Sequence, residues 1–217
     1  MKVLVIDIGG TSIKALATGQ RTRVRIPSGP DLTPEEMVRQ VQEAVAGWEY
    51  DVISIGYPGP VKDGKPTREP RNLGRGWVGF NFERAFGRPV KVLNDAAMQA
   101  LGSYEKGTML FLGLGTGLGS TLILDGVLAP MELAHLPYKN GRTYEEYVGK
   151  AGLKRFGKRK WRKYVVDVIA RLSAALEADD VVLGGGNAKL MKRLPPGVRS
   201  GSNGHAFLGG FRLWRHL

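Results

Sequence analysis

Continuous apolar runs alternate with stretches of helical period along this chain. "KVLVIDI" (2–8) has no polar face and is predicted to be a central strand buried on both sides. "IKALAT" and "RTRVRIPS" follow as further β-like segments. "TPEEMVRQVQEAVAGW" then opens with a capping-box pattern, Thr33 to Glu36, and places Pro34 at the first helical position. Met37, Val41, Val45 and Trp48 fall on one face, which predicts a core-packing helix. "DVISIGYPGP" (51–60) and "PVKVLND" (89–95) read as buried strands, and "AAMQALGSYEK" as the helix after the second. The order is β-β-β-α-β-α-β-α.

The same grammar starts again in the second half. Strand "TMLFLGL" leads through a glycine turn to "STLILDGVLA", which reverses at Asp125-Gly126. A basic helical region (144–176), strand "DDVVLGGG" and helix "NAKLMKRL", N-capped by Asn187, complete it. Two halves that each open with strand, glycine turn and strand predict duplicated α/β domains, 1–107 and 108–217, with a ligand site in the cleft between them.

The glycine turns carry the first chemical information. "GGTS" after the first strand leads into another strand, which excludes the dinucleotide fingerprint and the Walker A loop, since both need a helix there. "GLGTGLGST" places glycine at 113, 115, 117 and 119. Glycine inside strands costs packing and entropy, so the run needs a reason. A kinked turn is one; an anion lying on bare backbone amides is the other.

Composition narrows the classes. Hydrophobic residues make up 42% and charged residues 24% of the 217, as in ordinary globular proteins. The absence of a long apolar run or a charged leader points to a cytoplasmic protein without a membrane span. Zero cysteines exclude disulfides, thiolate metal sites and a cysteine nucleophile, and the histidines are only His135, His205 and His216. A metal would therefore be oxygen-bound, such as Mg²⁺, with no zinc. The net charge of +12 favours a polyanionic partner.

Five segments, in order, resemble the ROK sugar kinases: "DIGGTSIK" (7–14), "NDAAMQALG" (94–102), "LGLGTGLGS" (112–120), "ELAH" (132–135) and "VVLGGG" (181–186). "GYPGPV", "NLGRGW", "VLNDA" and "KWRKYV" are most similar to the polyphosphate glucokinases of that family. The resemblance implies the two-domain actin-like, hexokinase-related ATPase fold with ribonuclease-H-like halves. It also implies transfer of a phosphoryl group from polyphosphate and/or ATP to the 6-hydroxyl of glucose or a related hexose.

Phosphoryl transfer needs amides and a cation around the moving group and a base on the acceptor hydroxyl. Gly9, Gly10, Thr11 and Lys14 are expected to contact the donor phosphates, with Asp7 holding Mg²⁺ through water. Gly115, Thr116, Gly117 and Gly119 are expected to clamp the phosphates from the second half, and Gly184, Gly185 and Gly186 to approach the adenosine side. Asp95 is the candidate general base, its carboxylate expected to be kept ionised by the dipole of the helix it opens. Asn72, Asn94, Asp95, Glu132, His135 and Glu145 are expected at the sugar, with Glu146 as the competing alignment for Glu145. Ala134 stands where the family pattern Glu-x-Gly-His has glycine, which puts the local backbone in question.

The family also contains repressors, which resemble these kinases with a DNA-binding helix-turn-helix in front. Here the first strand begins at residue 2, which favours the enzyme over a sugar-responsive regulator. Binding of nucleic acid rests on charge alone and is not expected; a homodimer is left open. In "KRFGKRKWRK" (154–163) seven of ten residues are Lys or Arg, an arrangement expected to hold a polyphosphate donor.

Overall fold

The structure, a computed structural model, describes residues 1–202 and 204–215, so His216 lies outside the described residues. It divides into two compact units, Met1–Met98 with the described residues from Ala206 on, and Gln99–His205. A single cut near residue 107 does not describe this arrangement, because the end of the chain returns to the first unit.

In the first unit, β1 (Val3–Ile8), β2 (Ser12–Ala17) and β3 (Val24–Pro27) precede α1 (Pro34–Ala44). Then come β4 (Val52–Tyr57), the small hairpin β5 (Val61–Lys62) and β6 (Lys65–Pro66), α2 (Phe82–Phe86), β7 (Val90–Asn94) and α3 (Asp95–Ser103), whose residues from Gln99 on belong to the second unit. The five-stranded sheet has the order β3-β2-β1-β4-β7. β1, β4 and β7 run parallel, while β2 and β3 meander antiparallel. Apart from the β5–β6 hairpin and α2, each of these elements coincides with a segment of the hydrophobic pattern. Leu4, Ile6 and Ile8 face a core with Met37 and Val41 of α1. Each such side chain, fully buried, is worth about 1.5–3 kcal/mol.

The second unit repeats the plan. It holds β8 (Thr108–Leu114), β9 (Leu118–Leu124), β10 (Val127–Met131), a 3-10 turn at Leu133–His135, and the hairpin β11 (Pro137–Lys139) and β12 (Arg142–Thr143). After α4 (Tyr144–Val148) and α5 (Lys150–Ala175) come β13 (Asp180–Gly184), a 3-10 turn at Ala188–Leu190 and β14 (Val198–Ser200). Its sheet order is β10-β9-β8-β13-β14, with β8, β13 and β14 parallel. The predicted reversal between β9 and β10 is present, Asp125 and Gly126 both having positive φ (44° and 85°). The helix predicted for "NAKLMKRL" is not formed beyond its 3-10 turn. Asn187 makes no capping bond there, because its side chain instead donates to Gly115 O at 2.9 Å.

The last helix, α6 (His205–Arg212), covers the other face of the first sheet: Ala206 and Phe207 pack on Val3, Val5 and Val52. Ser54 Oγ donates to Gly210 O at 2.6 Å and accepts from Trp214 Nε1 at 2.9 Å. This is why β1 and β4 read as apolar on both faces.

Candidate active site

In the first unit the candidate residues gather at the carboxyl ends of β1, β4 and β7. Asp7 and Lys14 face each other in the β1–β2 register, and Lys14 Nζ lies 2.9 Å from Asp7 Oδ2. Between them the chain turns through Gly9, Gly10 and Thr11. Ser28 fixes this turn, its N–H donating to Thr11 O at 3.3 Å and its hydroxyl to Gly9 O at 2.5 Å. The N–H groups of Gly10 and Thr11 find no acceptor among the described residues. Gly10 is required sterically: a Cβ there would stand 2.9 Å from Asn72 Cβ. The Gly9–Thr11 turn and the loop carrying Asn72 therefore touch.

Glu69, which the sequence did not single out, organises that loop. Its carboxylate accepts from the N–H groups of Gly76, Trp77 and Val78 at 3.3, 3.1 and 3.3 Å. Nothing in the arginine-rich segment around it signals this role.

Asn94 ends β7 and caps α3, accepting from Ala96 N at 2.9 Å and Ala97 N at 3.3 Å, while its Nδ2 donates to Gly59 O at 3.0 Å. Asp95 is thereby the first helical residue. The expectation that the helix dipole keeps its pKa low is corrected: the pKa is pushed up to about 6. Desolvation dominates and repulsion from Asp7 adds to it, outweighing the bond from Ala96 N. The residue is nonetheless solvent-exposed.

A hydrated Mg²⁺ fits this corner. Asp7 offers one part-buried carboxylate beside a second negative group, and no cluster of three His, Cys, Asp or Glu exists among the described residues. Mg²⁺ suits such a place because it keeps its waters and needs only one or two carboxylates besides phosphate oxygens.

In the second unit, the alternating glycines do not serve a left-handed backbone: none of Gly113, Gly115, Gly117 and Gly119 has a positive φ. Gly113 and Gly119 pair across the β8–β9 ladder, and Gly115, Thr116 and Gly117 form the turn. The carbonyls of the turn region are all engaged. Leu114 O accepts from Asn187 N at 2.9 Å, Gly115 O from Asn187 Nδ2 at 2.9 Å, and Thr116 O from Lys150 N at 3.0 Å. The N–H groups of Thr116 and Gly117 have no acceptor among the described residues, and a Cβ on Gly115 would meet only open space. Backbone donors left without acceptors, their carbonyls tied down, suit an anion.

Glu145 and Glu146 separate clearly. Glu146 completes a capping box, its Oε2 accepting from Thr143 N at 2.8 Å and Thr143 Oγ1 at 3.3 Å. Glu145 points the other way: a Cβ on Gly117 would overlap its Oε2. Gly149 lets α4 and α5 close on the same turn, since a Cβ there would lie 2.8 Å from Thr116 O. Its place one residue before α5 was the available signal.

Glu132 and His135 flank the 3-10 turn, with His135 Nε2 3.8 Å from Glu132 Oε2 and both side chains exposed. Ser120 of β9 holds this turn, donating to Met131 O at 2.8 Å and accepting from Leu133 N at 3.1 Å. Ala134 is buried in the unit's core and has no positive φ, so the turn accommodates a methyl group where the family pattern has glycine. Gly184 and Gly185 have packing reasons, the first against Phe111 and the second, at φ 80°, against Leu114 O at 2.5 Å. Gly186 is open.

The basic segment spans a kink at Gly157 (φ 68°, ψ 160°) that divides α5 into two helices, and the first N–H of the first of them is bound to the Thr116 turn. None of its seven cations forms an ion pair among the described residues. Six are exposed; the seventh, Arg162, donates from Nε to Leu190 O at 2.6 Å.

The ROK family model matches residues 3–130. The chain belongs to the ROK family. Polyphosphate glucokinase of Mycobacterium tuberculosis (strain ATCC 25618 / H37Rv) is 29% identical over 213 residues, covering 88% of this chain and 80% of that protein. The glucokinase of Pyrobaculum calidifontis is 30% identical over 181 residues, covering 71% of this chain and 60% of its own length. Among solved structures, inorganic polyphosphate/ATP-glucomannokinase from Arthrobacter sp. strain KM superposes with a TM-score of 0.80 at 26% identity, over 96% of both chains. A ROK family glucokinase from Streptomyces griseus, in complex with glucose and AMPPNP, has a TM-score of 0.78 at 18% identity over 98% of this chain and 99% of its own. The fold is the two-domain actin-like ATPase fold of these ROK kinases. Among the described residues no helix is long and apolar enough to cross a membrane.

Proposed function

We propose that this ROK protein is a sugar kinase that transfers a phosphoryl group from polyphosphate and/or ATP to the 6-hydroxyl of glucose or a related hexose. The observation that carries this reading is the grouping of Asp7, Lys14 and Asp95 at the carboxyl ends of parallel strands, beside the unpaired N–H groups of Gly10 and Thr11. Asp95 takes the proton from the acceptor hydroxyl as it attacks phosphorus, a role suited to a carboxylate whose pKa lies near the working pH. Lys14 brings positive charge to the phosphoryl oxygens, and Asp7 holds that ammonium in place. Asp7 would hold Mg²⁺ through water, and the ion when bound would supply the remaining positive charge on the phosphates.

On the second unit, the amides of Thr116 and Gly117 grip the phosphate chain, with Gly115 and Gly119 keeping side chains away. Glu132, His135 and Glu145 join Asn72 and Asn94 in binding sugar hydroxyls. Gly186, open where Gly184 and Gly185 are packed, lies against the nucleoside when ATP is the donor. The unpaired cations of α5 favour polyphosphate as the natural donor and hold its distal phosphates.

The test is one kinase assay crossing a hexose panel with ATP and polyphosphate, in wild type and Asp95→Asn. Wild type phosphorylates glucose. Asp95→Asn binds glucose normally in calorimetry but loses about 10³-fold in kcat. A variant keeping a tenth of wild-type kcat removes Asp95 from the role. Absence of turnover with every sugar and donor removes the kinase reading.

A further inference from the structure

A peptide unit carries one residue's carbonyl and the next residue's N–H on a single rigid plane, and in a trans unit the two point in opposite directions. The Gly115–Thr116 unit is trans, so whatever holds Gly115 O also aims the Thr116 N–H. The holder is the Asn187 side chain, whose Nδ2 donates to Gly115 O at 2.9 Å. The neighbouring units are gripped by main chain alone: Leu114 O by Asn187 N at 2.9 Å, and Thr116 O by Lys150 N at 3.0 Å. Of these planes, only the Gly115–Thr116 one depends on a side chain. Glycine at 115 makes the dependence matter, because without a Cβ its ψ is loosely restricted and the plane is free to swing.

The local fold delivers Asn187 to this contact. Its side chain makes no capping bond, so the 3-10 turn at Ala188–Leu190 does not use it. Gly185, at φ 80°, lets the segment close on the end of β8, where a Cβ would lie 2.5 Å from Leu114 O. Asn187 is half-buried, whereas Thr116 is exposed and its N–H has no acceptor among the described residues. One edge of the plane is thus gripped from within the unit and the other offers an open donor.

We infer that Asn187 is a donor-positioning residue: by holding Gly115 O it aims the Thr116 N–H at the phosphate chain. This rests on the kinase reading above and adds a residue to its donor site. Without the grip, the plane swings about Gly115 and the Thr116 N–H loses its alignment. The released carbonyl can then turn its negative end toward the phosphates. Hydrogen bonds weaken steeply once bent, so a modest rotation is enough. The loss falls on ATP and polyphosphate alike, because both present phosphate oxygens to the same amide, and it spares the sugar.

The test follows the Thr116 amide by NMR as tripolyphosphate or AMPPNP is added, with Kd values from calorimetry. In wild type its proton resonance moves downfield as a phosphate oxygen accepts from it. Asn187→Leu keeps the size of the side chain and Asn187→Ala truncates it; both retain the main-chain bond to Leu114 O and lose only the amide donor. In each, the Kd of both phosphates rises about 10-fold, as for one weakened charge-assisted hydrogen bond. The Thr116 shift at saturation shrinks, and the glucose Kd stays at its wild-type value. A role confined to packing lowers Tm and leaves the Thr116 response intact. If the variants, folded by circular dichroism, bind tripolyphosphate as wild type does, or bind it weakly with the full Thr116 shift, the inference is overturned. The kinase reading is judged separately, by turnover: glucose phosphorylation by wild type, with donor binding indifferent to Asn187, sinks only the positioning role.

Discussion

The two glycine turns, Gly9–Thr11 and Gly115–Gly117, solve one problem in two ways. Each joins antiparallel strands, ties its carbonyls to neighbouring groups, and leaves two N–H groups without acceptors. The first is backed by Ser28 alone and stands beside a cation, Lys14, already paired with Asp7. The second is backed by Asn187 and by the first N–H of α5, ahead of the kink at Gly157, and carries a carboxylate on its face. One turn thus comes with the compact charge that chemistry on a single phosphoryl group requires. The other comes with an extended field suited to a long anion. Two glycine turns of equal length are thus closed by different internal hydrogen bonds, Gly9 N to Ser12 O and Gly115 N to Gly117 O, and set among different side chains.

That division is sharpest at Lys14. Lys14→Met removes charge at the reacting phosphate and leaves Asp7 part-buried without its partner, so kcat should fall about 10²-fold with either donor. Steady-state kinetics with ATP and with polyphosphate check this, and a loss confined to one donor breaks the division. The reversal Lys158→Glu/Arg159→Glu/Lys160→Glu should act differently. It raises KM for polyphosphate by about 10-fold at low salt and flattens its dependence on log salt, because fewer counterions are released, while KM for ATP stays put. A polyphosphate salt slope equal to that of ATP and unmoved by the reversal takes the basic helix out of the picture.

The glycines give a smaller contrast. Gly10→Ala must push Asn72 away and should raise the glucose KM several-fold. Gly115→Ala, in open space, should leave it unchanged and weaken only the donor. Kinetics with the sugar and the donor varied in turn separate the two.

The smallest effect is on stability. Asp95 has a folded pKa near 6 against an ordinary 3.8, so the folded protein binds a proton more tightly than the unfolded chain between those values. Ionised Asp95 therefore costs stability that is absent below about pH 4 and fully present above pH 6. Asp95→Asn should raise Tm at pH 8 and leave it unchanged at pH 4, by calorimetry. The same pKa predicts that wild-type kcat/KM falls as pH drops through about 6.

Much of this was legible in the residues. Continuous apolar runs marked the main strands, because a doubly covered strand has no polar face. The glycine spacings marked the turns, since a bare amide is a local property. Motif order placed Asp7, Lys14 and Asp95 on strand ends, and register then brought Asp7 and Lys14 together.

Other features depend on groups far apart in sequence. Asn187 reads as a helix cap until Gly115, 72 residues away, claims its amide. Asp95 reads as an ionised residue at a helix start until burial and Asp7 raise its pKa. Glu145 and Glu146 are indistinguishable as neighbours; opposite directions on one helical turn give one to the cap and the other to Gly117. The return of α6 to the first sheet follows from the exposed apolar face of β1 and β4, which no local pattern assigns to a partner. Sequence determined which segments are strands, turns and charged helices, because those follow from neighbours along the chain. Charge state and hydrogen-bond partners follow from neighbours in space, and only the tertiary structure decided them.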